Sequence, residues 1–183
     1  MSKIKRLIES YGKFISIPWR DGTAPPQRVI FCVYDEYDEL HLRAKIEEFE
    51  LATKQAGHDW AVFDLTDTFP EWLSAQRYAR SYFNQPNLLA SILPNYLTFI
   101  IKKFEEFLLE NKAGENSVVA LKGVGSLFGF TKVKDVVDKL APMVKGRLLV
   151  FFPGSYENNN YRLLDGYDGW NYLAVPITAD KEF

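Results

Sequence analysis

Two short runs of β-branched and aromatic residues, RVIFCVYD at 28–35 and WAVFDLT at 60–66, stand on either side of a helical segment, and each is apolar almost without interruption. A strand that is apolar on both sides must be covered on both faces, which is the situation of a strand inside a parallel sheet flanked by helices. Parallel neighbours need a crossover of a dozen or more residues. Residues 38–56 supply it as one predicted helix, with Leu40, Ala44, Phe49 and Leu51 among its apolar positions and Gly57 as its stop. This strand–helix–strand unit confines the chain to the α/β class.

The rest of the chain extends the pattern. Ile4, Leu7, Ile8, Tyr11, Phe14 and Ile15 recur at three- and four-residue spacing and predict an opening helix within residues 1–17, ended by Pro18. The first strand is expected over Val29–Tyr34, and SVVALKG, RLLVFF and YLAVPI add three more after WAVFDLT, with a helix at 132–144. Residues 69–113 are helical for too long to be a single crossover helix, and Pro86 and Pro94 divide them into two or three pieces. The expectation is one α/β domain over residues 1–183. It would be a three-layer Rossmann-like sandwich, with a mostly parallel sheet of about five strands, a helical insertion and no P-loop.

A chain of 183 residues can bury a substantial core without covalent staples, and its single cysteine, Cys32, has no partner for an internal disulfide. The formal net charge of −2 offers no electrostatic reason to expect direct nucleic-acid binding. The first residues, MSKIKRLIESYGKF, lack a continuous apolar stretch, and no segment approaches the ~20 apolar residues that span a bilayer. A cytoplasmic protein without a membrane partner is expected.

Motifs that carry chemistry are sparse. The position after the first strand, where a nucleotide-binding relative would place its phosphate loop, reads YDEYDEL, without glycine and with four carboxylates. The glycine-rich KGVGSLFGF at 122–130 fits neither GxGxxG nor the lysine-terminated P-loop, and a tight turn explains Gly123, Gly125 and Gly129. Asp35, Glu36, Asp38 and Glu39, with Asp64 and Asp67 after the second strand, could meet at the carboxyl edge of a parallel sheet, where magnesium would suit such oxygens. The metal candidates are therefore Asp35, Asp38, Asp64 and Asp67; helix-start capping is the competing explanation. Cys32 reads as a small buried hydrophobe. His41 and His58 form no ligand motif, and no general base is evident for Ser126 or Ser155. The spacing of Asp165, Asp168 and Asn171 lacks the ligand order of a calcium loop.

Pro153, Gly154, Tyr156, Arg162, Leu163, Asn171, Tyr172 and Ala174 together resemble the C-terminal pattern of the BrxB family of bacterial BREX phage-defence systems. Upstream, RVIFCVYDEYDELHLRAKIEEF followed by GHDWAVFDLTDTF is similar to the same family, so the likeness runs over residues 28–177 and is weakest in the helical insertion. Many members carry arginine where this chain has Leu173. The resemblance implies a non-catalytic α/β adaptor, without cofactor, in a complex with a PglZ phosphatase-like protein, a BrxC ATPase and a PglX methyltransferase. No catalytic residue is carried over.

Partner-binding candidates are the loop aromatics Trp19, Tyr156, Tyr161, Tyr167 and Trp170, with Arg162, since aromatic side chains and arginine are favoured interface anchors. Burial in the core is the competing expectation for the rings. Pro153-Gly154, Asp165-Gly166 and Asp168-Gly169 are expected turns, and Asn158 to Asn160 suit left-handed backbone. Two other function classes stay open. One is a divalent-metal-dependent hydrolase or nuclease built on the acidic cluster. The other is a degenerate relative of P-loop ATPases, with RLLVFFPGS in the place of a sensor strand.

Overall fold

A computed structural model describes residues 1–166 and 169–180. The chain opens with α1 (Lys3–Ile15), whose N-cap Ser2 accepts a hydrogen bond from the Lys5 N–H. After a 3₁₀ turn come β1 (Val29–Tyr34), α2 (Glu39–Arg43), α3 (Ile46–Gln55) and β2 (Asp59–Asp64). The expected single helix over 38–56 is thus two helices. They meet at Ala44 and Lys45, where Lys45 leaves the helical region with φ −114° and ψ 5°. The break re-aims the apolar face: Phe49 and Leu42 are buried, whereas Leu40, Ala44 and Leu51 face solvent.

The segment between β2 and β3 (Ser117–Lys122) is helical, as expected, and contains α4 (Thr68–Ser74), α5 (Ala79–Asn84) and α6 (Leu93–Glu110). Pro94 sits in the first turn of α6, where its missing N–H costs nothing. Then follow α7 (Val133–Leu140) and β4 (Arg147–Glu157), and finally β5 (Asn160–Leu163), β6 (Trp170–Asn171) and β7 (Val175–Ile177).

The fold is a mixed α/β architecture around an open seven-stranded sheet, not a five-stranded one. Five strands lie in the order β2-β3-β4-β1-β7, and all four of their pairings are parallel. The two additional strands pair antiparallel, β5 on β4 and β6 on β5. They were hidden because Pro153-Gly154 reads as a strand terminator. Instead β4 runs straight through it: Pro153 is in register with Tyr34 of β1, and its carbonyl accepts the Leu164 N–H at 2.8 Å. The chain reverses at Asn158-Asn159, both with positive φ (51° and 64°), as the tight hairpin turn requires. Tyr172, Leu173 and Ala174, expected in the last strand, lie before it.

β1 is buried at every position, and alternate residues face opposite layers. Val29, Phe31 and Val33 join Trp72 of α4, Tyr96, Ile100 and Phe104 of α6 and the valines of α7. Ile30, Cys32 and Tyr34 join Ile4, Leu7, Tyr11 and Ile15 of α1 with Phe49 of α3. Buried in this second layer, the Tyr11 and Thr53 hydroxyls lie 2.6 Å apart and Thr53 also donates to the Phe49 carbonyl at 2.8 Å; burial raises the Tyr11 pKa.

Phe31 is the hinge between the main sheet and the hairpin. Its ring stacks on Phe152 at 5.4 Å and on Tyr172 at 5.9 Å, and meets the edges of Tyr161 at 4.5 Å and Trp170 at 5.7 Å. Phe31→Ala is expected to cost about 3–5 kcal/mol, the usual range for emptying a packed phenylalanine site. Denaturant titration will check this, together with the near-ultraviolet circular dichroism of the aromatic cluster, which should collapse in the same variant.

Candidate functional site

All five parallel strands end on one edge, and there the connections diverge. β1 leads into α2 and α3, which pack on the α1 side, while β4 continues into the hairpin, whose aromatic residues pack on the opposite layer. The crevice where neighbouring strands send their connections to opposite faces is the usual ligand position of open α/β sheets. It lies between Tyr34 and Pro153, the last paired residues of β1 and β4.

The acidic residues expected at this edge are there, but basic neighbours neutralise two of them. Glu39 accepts from the Tyr34 hydroxyl and, at 2.6 Å, from Arg43 Nε. Burial, reinforced by Glu39, raises the Tyr34 pKa, so the phenol stays protonated as donor. Asp64 accepts from the Thr66 N–H at 2.9 Å and the Thr66 hydroxyl at 2.6 Å, and pairs with Lys122 Nζ at 3.2 Å. Burial alone would raise the Asp64 carboxyl, but the Thr66 donors and Lys122 outweigh it and hold it below the ordinary carboxylate range. Asp64 and Lys122 are register partners at the ends of β2 and β3. Their pairing was latent in the sequence and needed only the strand alignment.

The remaining candidates do not converge. Asp35 caps its own turn by accepting the Tyr37 N–H at 3.0 Å. Asp38 and Asp67 precede α2 and α4 without a side-chain cap. Among the described residues, no group of three or more His, Cys, Asp or Glu is placed to hold a metal ion. The glycine cluster is a turn: Gly123 is left-handed at φ 75°, and a Cβ there would fall 2.4 Å from Thr66 Oγ1 and 2.7 Å from Thr66 N. Thr66 therefore packs directly against this turn, in the space that a side chain at position 123 would fill. Cys32 is fully buried, and burial pushes its thiol pKa up, away from nucleophilic use.

The hairpin separates the partner-binding candidates. Tyr161 is corrected to a core residue: it is wholly buried among Phe31, Phe152 and Trp170, and its hydroxyl donates to the Ala174 carbonyl at 3.3 Å. Its period-two position on β5 puts it on the inward face, opposite Arg162. Trp170 is half-buried in the same cluster, and Tyr156 is half-buried against Tyr161 at 4.6 Å. Trp19 lies at the other end of the sheet, stacked on His58 at 3.8 Å with Arg147 at 4.5 Å from its ring centroid. Tyr167 and Asp168 fall outside the described residues, so the expected Asp168-Gly169 turn and the spacing built on Asp168 do too.

Arg162 faces solvent, and among the described residues its guanidinium has no hydrogen bond or ion pair. Its stem crosses Gly169, where an added Cβ would lie 3.3 Å from both Cγ and Nε. The expected network of loop carbonyls around it is not formed by the described residues. Leu173, where many family members carry arginine, is 72% exposed, and Phe128, 48% exposed and near Gly166, is a large apolar side chain that sequence reasoning did not single out.

This edge therefore presents a hairpin bearing an exposed arginine with no ion pair among the described residues, on an α/β sheet two of whose edge carboxylates, Glu39 and Asp64, are paired with Arg43 and Lys122. A family model described as BREX protein BrxB matches residues 65–176. That span covers more than half of the chain, and the chain belongs to the BrxB family. The match takes in the helical segment and the whole hairpin but begins after β2, so the likeness read over residues 28–64 lies outside it. No curated protein and no solved structure matches the chain. Among the described residues no helix is long and apolar enough to cross a membrane.

Two outcomes test this geometry. At Gly154 an added Cβ would fall 1.9 Å from the Arg162 carbonyl oxygen, so Gly154→Ala must push β5 off β4. It is expected to cost about 1–3 kcal/mol by overpacking, with faster proteolysis at the Asn158-Asn159 turn as the local readout. For Asp64, a lowered folded pKa means stability that is present above the ordinary value of about 4 and lost as pH falls through the folded value. The stability gap between the parent chain and Asp64→Asn should therefore narrow in acid, as thermal melts across pH 2 to 7 will read.

Proposed function

We propose that this chain is a non-catalytic adaptor of a BREX-type phage-defence complex and that the carboxyl-edge hairpin is its partner surface. Membership in the BrxB family supports the role in BREX phage defence. The observation that carries the choice of surface is Arg162, an exposed guanidinium without a side-chain partner among the described residues, on a strand held rigid from behind by Tyr161, Phe152 and Phe31. A pre-ordered arginine beside exposed apolar groups loses little entropy when it engages a carboxylate or carbonyl of a partner. The half-buried Tyr156 and the exposed Leu173 would form the apolar border of such a contact.

Other BREX proteins are the natural partners, and the PglZ-like, BrxC-like and PglX-like components are the ones to test. The parallel strands, covered by α1 and α3 on one face and α4, α6 and α7 on the other, support reading the fold as a Rossmann-like sandwich put to structural use. A metal-dependent hydrolase is not favoured, because Glu39 and Asp64 are already engaged by Arg43 and Lys122.

Pull-down of the native operon proteins with Arg162→Ala and Arg162→Lys tests the proposal. Both variants should lose partner capture while melting within about 0.5 kcal/mol of the parent, as surface substitutions do. The ammonium of lysine lacks the planar fork and should not rescue binding. Undiminished capture by both variants would remove the hairpin as the contact surface.

A further inference from the structure

The segment around α5 stands apart from the rest of the molecule. From Ala75 to Ser91 no residue is fully buried, although the stretch holds two tyrosines, a phenylalanine and two leucines. Tyr82 and Leu89 pack against the main core and anchor it. Tyr78 at 58%, Phe83 at 61% and Leu88 point outward. Between Glu71 and Glu105 the sequence contains no carboxylate side chain, and Arg77 and Arg80 are exposed without an ion pair among the described residues. Arg77 lies 5.4 Å from the Tyr78 ring centroid, so charge and aromatic surface form one patch. A cationic, apolar projection of this size is a docking surface by its chemistry.

The complementary surface is on the same chain. Tyr37, in the turn that joins β1 to α2, is 91% exposed and Leu40, in the first turn of α2, is 81% exposed, the two most open large apolar side chains among the described residues. They stand beside Glu36 and Asp38, whose carboxylates have no ion pair among the described residues, unlike Glu39, which is engaged by Arg43. One surface therefore offers aromatic and aliphatic groups ringed by cations, and the other offers the same groups ringed by anions.

We propose that the chain assembles head to tail: the α5 segment of one copy docks on the 36–40 surface of the next through apolar contact, with Arg77 and Arg80 facing Glu36 and Asp38. Such a contact is heterologous. Each bound copy leaves one surface of each kind open, so copies add in sequence into a ring or a short filament. The contact uses neither Arg162 nor the hairpin residues, so variants at the two surfaces test the two ideas separately.

Sedimentation velocity of the purified chain over a wide concentration range, at low and at high salt, tests the proposal. The mass should rise with concentration at low salt and fall back as salt screens the charges. An arm variant (Arg77→Glu, Arg80→Glu, Phe83→Ser) and a surface variant (Glu36→Lys, Tyr37→Ser, Leu40→Ser) should each stay monomeric, with far-ultraviolet circular dichroism like that of the parent. All six side chains are at least partly open to solvent and none is in the core. The deciding measurement is the equimolar mixture of the two variants. Each retains the surface that the other has lost, so the mixture should form a dimer and nothing larger. A parent chain that is monomeric throughout, a mixture that stays monomeric, or a surface variant that assembles like the parent would each overturn the proposal.

Discussion

The packing of Phe31 against four aromatic rings is the interaction on which the rest of this structure depends. A two-stranded hairpin with a short third strand is not stable alone in water. Here β5 and β6 gain their order from Tyr161, Trp170 and Tyr172, which close on Phe31 and Phe152 of the central strands. The same ring faces the layer formed by α4, α6 and α7. Offset and edge-to-face contacts add to the area each ring buries, so the hairpin is tied to the sheet by geometry as well as by hydrophobicity.

Fixing the hairpin from behind leaves its outer face free for other chemistry. Arg162 and Tyr161 are neighbours on one strand, yet one is exposed and the other is core. At the same edge, register puts Lys122 beside Asp64, and one helical turn puts Arg43 beside Glu39. Two of the six carboxylates at this edge thereby become members of local pairs. Glu36 and Asp38, in the turn after β1, and Arg77 and Arg80, around the start of α5, have no ion pair among the described residues.

Much of the fold was legible because burial on both faces leaves an unbroken apolar run, as in VIFCVY and SVVALK. The opening helix was legible for a related reason, since Ile4, Leu7, Tyr11 and Ile15 carry the helical period without interruption. The helix after β1 misled because its apolar residues do not mark its buried side: Leu40 and Leu51 are exposed, and the break at Lys45 rotates the face. The hairpin misled in the opposite sense. Proline and glycine usually end a strand, but Pro153 lies where no N–H is required of it, and Gly154 is needed because the Arg162 carbonyl passes within 1.9 Å of where a Cβ would be.

By itself, then, the sequence determined the α/β class, the opening helix, the helical segment between the second and third strands and the left-handed preference of Asn158 and Asn159, because each of these depends on local period or on backbone freedom. The tertiary structure alone decided which aromatic residues are surface and which are core, and which carboxylates are paired and which are open. Those properties depend on strand register and on what packs behind a side chain. Glu39 finds Arg43 within its own helix, but the decisive neighbours of Tyr161 and Asp64, Phe31 and Lys122, lie far away in the chain, and no local pattern encodes them.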